Sequence, residues 1–421
     1  MGNNIAYGIL MRYLSFFFNC LILVLGAEAH TVNVCASCFD KDFQSAIKNA
    51  GVYDTIILKQ GIYNSINTII NKPLTIIGEN FPILDAKNQD EVISVIADHV
   101  NLIGLDIRNT NEGSIKDYAG IKVYKVKYIN IINCQLNNTL FGIYISDASH
   151  VIIKGNHLKG LNYGKSNTGN GIQIWKSDSV VVEDNHSEGH RDGIYLEFAK
   201  HCIIKNNLSE QNFRYGLHFM FSDDDTYINN IFKHNGTGVA VMYTRRVQMI
   251  NNKFIDNWGD ASYGLLLKDM TGGLISGNTF SNNTIAITME GSDKMRFEKN
   301  DFLKNGYAIK IMANCMLDTF MLNNFSGNTF DAATNGQLMD NLFKNNYWDK
   351  YEGYDLNHDK VGDIPYCPVS LYSVIVEQMP YAVMLLRSFT VDLLNRAEKN
   401  IPSIIPETFQ DFAPMMSMHK R

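Results

Sequence analysis

Residues 216–219 read Gly-Leu-His-Phe, and this pattern, a glycine followed by alternating apolar positions, decides the fold. The pattern recurs at Gly120, Gly142, Gly171, Gly193, Gly238 and Gly264, and with alanine in place of glycine at Ala286 and Ala308. Successive copies are 22, 29, 22, 23, 22, 26, 22 and 22 residues apart. Short alternating strands that repeat with such a period are typical of a solenoid. The sequence therefore predicts an all-β fold, a right-handed parallel β-helix whose coils have about 22 residues.

Each copy is followed by a second short apolar strand and then by an asparagine. These asparagines are Asn156, Asn185, Asn207, Asn230, Asn252, Asn278 and Asn300. Asparagine tolerates left-handed turns, and identical side chains on stacked coils form ladders. The 282 residues between Pro82 and Pro365 contain no proline, which fits strands that need their backbone donors. We expect the β-helix to cover residues 73–345.

The two ends of the chain differ from the repeats. Residues 1–29 are predicted to be a secretory signal peptide that starts at Met11, because an apolar run after Arg12 ends in the small-x-small pattern Ala27-Glu-Ala29. Residues 30–72 are predicted to form an N-terminal cap, and residues 346–370 an acidic terminal segment. Residues 371–421 are predicted to be a helical and extended arm, which either caps the solenoid or docks on a partner.

Composition excludes two classes of protein. The chain has 45% apolar and 19% charged residues, which does not fit a disordered protein. Its net charge of −6 argues against nucleic-acid binding, which needs a basic surface.

The outward face of the repeats suggests a copper site. In each coil the second and fourth residues after the glycine should face outward. This places Met220 beside Met242 on adjacent coils, with His218 two residues from Met220 on the same face. Thioether and imidazole groups together are ligands for Cu(I). The alternative is that these methionines are an adaptable contact surface for a loop or a partner.

A second candidate metal site lies near the end of the repeats. Asp355, Asn357, Asp359 and Asp363 supply oxygen ligands at positions 1, 3, 5 and 9 of a calcium-type loop. Lys360 replaces the usual glycine at position 6, and Tyr366 stands where position 12 normally has glutamate. The loop is interpreted either as a structural Ca²⁺ site or as a metal-free turn.

Cys35 and Cys38 have C-x-x-C spacing in the predicted cap. A disulfide is the first interpretation for an exported chain, and a soft-metal site is the second.

The C-terminal arm carries apolar residues at helical spacing, which are the candidate partner-binding residues: Val383, Leu386, Phe389, Leu393 and Leu394.

Several motifs make the chain recognisable. They are IQIWKS at 172–177, EGHRDGIYLEF at 188–198, RYGLHFMFSDDD at 214–225, GVAVMYT at 238–244, SYGLLLKD at 262–269, NNYWDKYEGYDLN at 345–357 and PVSLYS at 368–373. With these motifs the sequence resembles NosD, the periplasmic maturation factor of nitrous-oxide reductase. The resemblance extends over nearly all of the chain that follows the predicted signal peptide.

The resemblance implies a non-enzymatic protein that works with copper in the periplasm. It implies association with an ABC transporter whose permease and ATPase subunits are separate chains, and hence membrane association through them. It also implies cooperation with a copper-chaperone lipoprotein to mature the copper-sulfide centre of apo nitrous-oxide reductase. The helical arm would then dock on the transporter, and His218, Met220 and Met242 would bind copper.

Two other classes stay open from the residues alone. A polysaccharide lyase, hydrolase or C5-epimerase would use carboxylates such as those of Asp223, Asp224 and Asp225. A sugar-binding solenoid would need a row of outward aromatic residues, for which only Tyr144, Trp175 and Tyr195 qualify.

Overall fold

The computed structural model describes residues 29–113, 115–161, 168–336, 340–400 and 410–420. The predicted signal peptide therefore lies, except for Ala29, outside the described residues. In the described part of the chain, three sheets of parallel strands run the length of the molecule, and each coil visits them in the order sheet 1, sheet 2, sheet 3. The predicted parallel β-helix is thus confirmed.

The strands of each sheet pair in parallel with the equivalent strands of the coils before and after. Sheet 1 contains Thr31–Val34, Thr55–Leu58, Thr75–Gly78, Asn101–Ile103, Lys127–Ile132, Ser149–Lys154, Asp178–Glu183, Ile203–Lys205, Thr226–Ile228, Arg245–Ile250, Thr271–Ser276, Asp293–Glu298, Thr319–Met321 and Leu342–Lys344. Sheet 2 contains Ile62–Asn64, Ile83–Asp85, Asp106–Arg108, Gln135–Thr139, His157–Gly160, His186–Glu188, Leu208–Glu210, Ile231–Lys233, Lys253–Ile255, Thr279–Ser281, Asp301–Leu303, Asn324–Ser326 and Tyr347–Trp348. Sheet 3 contains Thr68–Ile70, Ile93–Val95, Ala119–Tyr124, Phe141–Ser146, Ile172–Trp175, Asp192–Glu197, Tyr215–Met220, Thr237–Met242, Tyr263–Lys268, Ile285–Glu290, Tyr307–Ile311 and Phe330–Thr334.

Side chains alternate between inward and outward along most of each strand, and the inward ones form the core. Inward positions are buried aliphatic residues in the early coils and aromatic rings in the later ones. In sheet 2 the rings of Phe254, Phe280, Phe302, Phe325 and Trp348 stack coil upon coil. The repeated glycine lies where the next coil approaches most closely. A Cβ atom on Gly216 would lie 2.7 Å from the carbonyl oxygen of Gly238. Because this distance is well inside van der Waals contact, glycine is favoured at that position.

The predicted asparagine ladder is confirmed at the turn between sheets 1 and 2. The side-chain amide of Asn207 donates to Asn230 Oδ1 at 3.0 Å, and Asn230 donates in the same way to Asn252 at 3.0 Å. The ladder continues through Asn323 to Asn346. A second ladder, at the turn between sheets 2 and 3, was not predicted and contains Asn212, Asn235, Asn257, Asn283, Asn305 and Asn328. In both ladders the side-chain oxygen of each asparagine also accepts from the buried backbone N–H of the asparagine on the coil before.

The coils begin earlier than the predicted boundary at residue 73. Thr55–Leu58, Ile62–Asn64 and Thr68–Ile70 already pair with the following coil. The cap is therefore limited to the first strand and helix α1, Phe43–Asn49, which buries Phe43. Periodicity was too weak there to separate cap from coil. Cys35 and Cys38 are joined by a disulfide, as in the first of the two interpretations.

The C-terminal arm folds back on the outward face of sheet 3. It contains helix α2 (Leu371–Gln378), a 3₁₀ helix (Pro380–Leu385) and helix α3 (Phe389–Asn400). A small apolar cluster holds it, in which Tyr372 and Val376 of α2 and Val391 of α3 pack with Phe330 of the last sheet-3 strand. An ion pair between Lys310 and Glu377, 2.8 Å long, adds to this contact.

Residues 410–420 return to the last coil and do not extend away from the body. Asp411 is buried and takes the place of the next asparagine in the first ladder. Its Oδ2 accepts from the backbone and side-chain nitrogens of Asn346, at 3.0 and 2.9 Å, and from Trp348 Nε1 at 3.1 Å. The predicted docking arm 371–421 thus includes a segment that closes the solenoid.

Candidate functional site

The predicted outward column at the fourth position is formed by the register of sheet 3. Met220 pairs with Met242, with Glu197 on the coil before and Lys268 on the coil after. His218 lies on the same strand and face as Met220, roughly 7 Å along the strand. The structure therefore brings His218, Met220 and Met242 onto one patch of the surface of sheet 3, which we call the His–Met patch.

His218 is not exposed, which corrects the expectation that its column faces solvent. Only 5% of the residue is accessible. The ring of Tyr195 meets it edge-on, with ring centroids 4.9 Å apart, and the ring of Tyr215 lies 4.8 Å away at a tilt. Met220 and Met242 are half-buried. A tyrosine of the coil before and one of the same strand thus cover the imidazole from outside, so alternation alone is a poor guide to exposure here.

The covered histidine contacts an ion pair between the buried Asp192 and the exposed Arg214. Arg214 donates to both carboxylate oxygens of Asp192, at 2.8 and 2.5 Å. His218 Nδ1 lies 3.5 Å from Asp192 Oδ2 and 3.3 Å from Arg214 Nη2. Burial alone would raise the pKa of the Asp192 carboxyl, but the hydrogen bonds and charges of Arg214 and His218 hold that pKa below its ordinary value. Nε2 of His218 is buried and has no hydrogen-bond partner among the described residues.

Sequence reasoning missed the role of Asp192 and Arg214. Asp192 directly precedes a repeat glycine, and register pairs it with Tyr215 on the next coil. Residues before the glycine form a third outward column beside the second and fourth positions. Because the second and fourth positions face outward, alternation alone would place the residue before the glycine inward, so the column rule could not have placed Asp192 and Tyr215 next to His218.

The run Asp223, Asp224 and Asp225 has structural roles. Asp224 forms a two-pronged ion pair with Arg246, with contacts of 2.5 and 2.6 Å, and Asp223 accepts from the backbone of Arg245. Asp225 is buried, accepts from the backbone nitrogen of Cys202 at 2.7 Å, and burial raises the pKa of its carboxyl to about 7. These three carboxylates therefore face different partners and do not converge on one groove.

The acidic loop brings its four predicted oxygen ligands into one turn. Asp355 accepts from the backbone nitrogens of Asp359 and Lys360, at 3.2 and 2.8 Å, and Asp363 accepts from that of Leu356 at 2.7 Å. Lys360 has a φ of +72°, so it adopts the left-handed conformation for which calcium loops normally use glycine. The side-chain amide of Asn357 donates to Asp359 at 3.1 Å. The calcium assignment stays a prediction.

Most of the predicted partner-binding residues lie on the surface of the arm. Val383, Leu386, Phe389 and Leu393 are exposed, whereas Leu394 is partly buried. Two neighbours that were not predicted are even more accessible, Tyr381 at 87% and Met384 at 84%. Together with Phe389, at 76%, they form an apolar surface on the 3₁₀ helix and the start of α3, which we call the arm surface.

None of the helices in the described ranges has both the length and the apolar character needed to cross a membrane.

Comparison with known proteins bears on this site, because the matched region contains it. Residues 162–357 match the family model described as "Periplasmic copper-binding protein (NosD)". The predicted resemblance to NosD is confirmed for this range.

Two curated relatives carry the same name. A "Probable ABC transporter binding protein NosD" of Stutzerimonas stutzeri is 26% identical over 199 residues, which cover 42% of this chain and 44% of that protein. Its namesake in Pseudomonas aeruginosa is 25% identical over 192 residues, with the same shares. The matched segments thus span less than half of these relatives.

Among solved structures, DFA-IIIase from Arthrobacter chlorophenolicus A6 superposes with a TM-score of 0.50. It has 12% sequence identity, and the match covers 69% of this chain and 93% of that one. At this identity the likeness concerns the fold alone.

Proposed function

We propose that this chain is a periplasmic accessory protein of the NosD type that binds or relays Cu(I) at the His–Met patch. The observation that carries the proposal is the state of His218. One ring nitrogen faces the Asp192 carboxylate, and the other is buried without a partner among the described residues. A buried polar atom without a partner is costly, so such an atom calls for an explanation. A metal ion bound through Nε2 supplies one.

The neighbouring groups suit Cu(I) in particular. We assign the tautomer with the proton on Nδ1, directed at Asp192 Oδ2 at 3.5 Å, which leaves the Nε2 lone pair free; this tautomer forgoes the alternative in which Arg214 Nη2 donates to Nδ1 at 3.3 Å. A carboxylate behind a histidine is a common second contact in metal sites, where it orients the ring and raises its basicity. Met220 and Met242 add thioethers, which select the monovalent ion. The rings of Tyr195 and Tyr215 limit access of water to the imidazole.

The copper proposal is tested by competition titration of the purified protein with Cu(I). The variant His218→Asn, Met220→Leu, Met242→Leu should bind Cu(I) at least about tenfold more weakly, since it loses all three proposed ligands while keeping side-chain size. Met316→Leu is the matched control, because that methionine is exposed and remote from the patch in sequence. Equal affinity of the triple variant and the parent would overturn the proposal.

We propose further that the arm surface docks on an ABC transporter made of separate permease and ATPase subunits. The support is a cluster of exposed apolar side chains on a segment held against the solenoid by its opposite face, together with the name of the relatives. The protein would then be membrane-associated through the transporter. It would receive copper from, or pass it to, a copper-chaperone lipoprotein, and serve the copper-sulfide centre of apo nitrous-oxide reductase.

A second candidate is a polysaccharide lyase, hydrolase or C5-epimerase. The group of Asp192, Arg214 and His218, flanked by two tyrosines, contains residue types that serve acid and base chemistry. Against this, Arg214 already donates to both carboxylate oxygens of Asp192. Its guanidinium is therefore not free to neutralise a sugar carboxylate. Product formation from uronic-acid polymers by the purified protein would establish the enzyme, and we expect none.

A further inference from the structure

Sheet 2 carries a second cluster of potential metal ligands, on a different side of the solenoid from the His–Met patch. His157, His186, Glu188 and Glu210 come from three successive coils and face outward. Strand register pairs His157 with His186, and Glu188 with Glu210. Two histidines and two glutamates thus form two adjacent columns.

The ligand atoms of these side chains converge. His186 Nε2 lies 2.9 Å from Glu210 Oε1, and His157 Nε2 lies 3.8 Å from Glu188 Oε1. One ligand atom from each of His186, Glu188 and Glu210 lies within 4.8 Å of the others. The two imidazole rings stack in parallel with centroids 4.7 Å apart. Both Nε2 atoms therefore point toward the carboxylate column.

The carboxylate column places two glutamates side by side, each with one lysine partner. Glu188 and Glu210 are direct cross-strand partners, a placement in which like charges repel. Lys159 and Lys233 pair with them from outside, each at 2.9 Å, on the coils before and after. Each lysine neutralises one glutamate from its far side, and the histidines occupy the near side.

We infer that His186, Glu188 and Glu210 form a binding site for a divalent first-row metal ion, Zn²⁺ or Cu²⁺, beside the stacked ring of His157. Imidazole nitrogen and carboxylate oxygen are the ligands that these ions accept, and one imidazole with two carboxylates leaves the fourth position of a tetrahedral site to water. The donor set contains no sulfur, which separates it from the thioether ligands proposed for Cu(I). The inference is independent of the proposed copper function.

Zn²⁺ alone is the probe for the experiment. Metal-free full-length protein is titrated with Zn²⁺ against a chromophoric chelator. The double variant His186→Asn, Glu210→Gln should bind one equivalent at least about tenfold more weakly, because it loses two of the three protein ligands. Lys233→Met should instead bind more tightly, since it frees Glu210 from a competing cation. Spectroscopy of the Cu²⁺ form should show coupling to one imidazole nitrogen.

His201→Asn is the matched control. His201 and Asp178 form a histidine–carboxylate pair of the same length, 2.9 Å, and that pair belongs to none of the three-residue clusters in the described part of the chain. Its Zn²⁺ binding should equal that of the parent. Unchanged binding in the double variant, or an equal loss in His201→Asn, would reduce the cluster to surface ion pairs and overturn the inference. Circular dichroism of each variant separates loss of ligands from loss of fold.

Discussion

Nδ1 of His218 lies 3.5 Å from the carboxylate of Asp192, and that carboxylate is completely buried. The aspartate is held on the other side by Arg214, so its position is fixed from two directions. A histidine oriented in this way has a defined ring plane before any metal arrives. Preorganisation of this kind lowers the free-energy cost of binding.

The first prediction concerns this pair. Asp192→Asn should weaken Cu(I) binding by about 10–100-fold, the usual effect of removing a carboxylate behind a metal-bound histidine. Competition titration measures the change. Asp224→Asn is the control, because Asp224 pairs with Arg246 on the surface and lacks contact with the His–Met patch. If Asp192→Asn bound Cu(I) as tightly as Asp224→Asn, Asp192 would have no part in the copper site.

The second prediction concerns pH and the buried carboxyl of Asp225. Burial raises its pKa to about 7, whereas the ordinary value is 3.8. Between these values the folded state binds more protons than the unfolded state, so this group's contribution to stability falls as pH rises from about 4 to about 7. Asp225→Asn should remove this loss and raise the free energy of unfolding at about pH 8 by up to about 4 kcal/mol.

Urea denaturation at about pH 5 and about pH 8 checks this. The parent should lose stability between the two pH values, and the variant should lose less. Asp223→Asn, at the neighbouring and only partly buried acid, should behave as the parent does. A variant that is destabilised equally at both pH values would show that the ionised form is the stabilising one.

The third prediction concerns the arm surface. Replacing Tyr381, Met384 and Phe389 together by serine should abolish co-purification with the permease and ATPase subunits. The free energy of unfolding should change by less than about 0.5 kcal/mol per residue, because these side chains are exposed. Phe412→Ser, an exposed aromatic residue on the returning tail, is the control.

Recovery of the transporter subunits with the triple variant at parental yield would refute docking through this surface. Deletion of residues 381–421 is a poorer test, because it also removes Asp411 from the end of the solenoid. A loss of binding would then have two explanations.

The fourth prediction concerns the acidic loop. Excess Ca²⁺ should raise the melting temperature of the parent and not that of Asp355→Asn, Asp359→Asn. Ligand at about 100 times its Kd adds about 2.7 kcal/mol to the stability of the folded state. Differential scanning fluorimetry with Ca²⁺ and with chelator measures the shift. Identical curves with and without Ca²⁺ for the parent would assign the loop as a metal-free turn.

The repeating part of the fold was predictable because each coil restates the same pattern. The glycine spacing gave the strands of sheet 3, and the asparagine spacing gave the first ladder. Register then followed, which is why the neighbouring positions of Met220 and Met242 were foreseen. The cap boundary was placed too late because the strand Thr68–Ile70 is not preceded by the glycine that marks the later strands of sheet 3.

Contacts outside the repeat were not predictable. The burial of His218 depends on ring orientations of Tyr195 and Tyr215, which alternation does not encode. The convergence of His186 with two glutamates needs a second set of columns on sheet 2, where no glycine marks the register. Asp411 contacts Asn346 of the last coil although the two are 65 residues apart in sequence, and no local pattern predicts this contact.

Asp411, which returns to the last coil, lies at the end of the stack of coils. A stack of identical coils has no inherent end, because each terminal coil offers unpaired backbone groups to any strand that arrives. Every asparagine in the ladder both donates and accepts, so it propagates the stack, whereas an ionised carboxylate only accepts. Asp411 thus ends the first asparagine ladder. Residues 410–420 pair with the last coil and so cover an edge of the kind that otherwise pairs with strands of other copies.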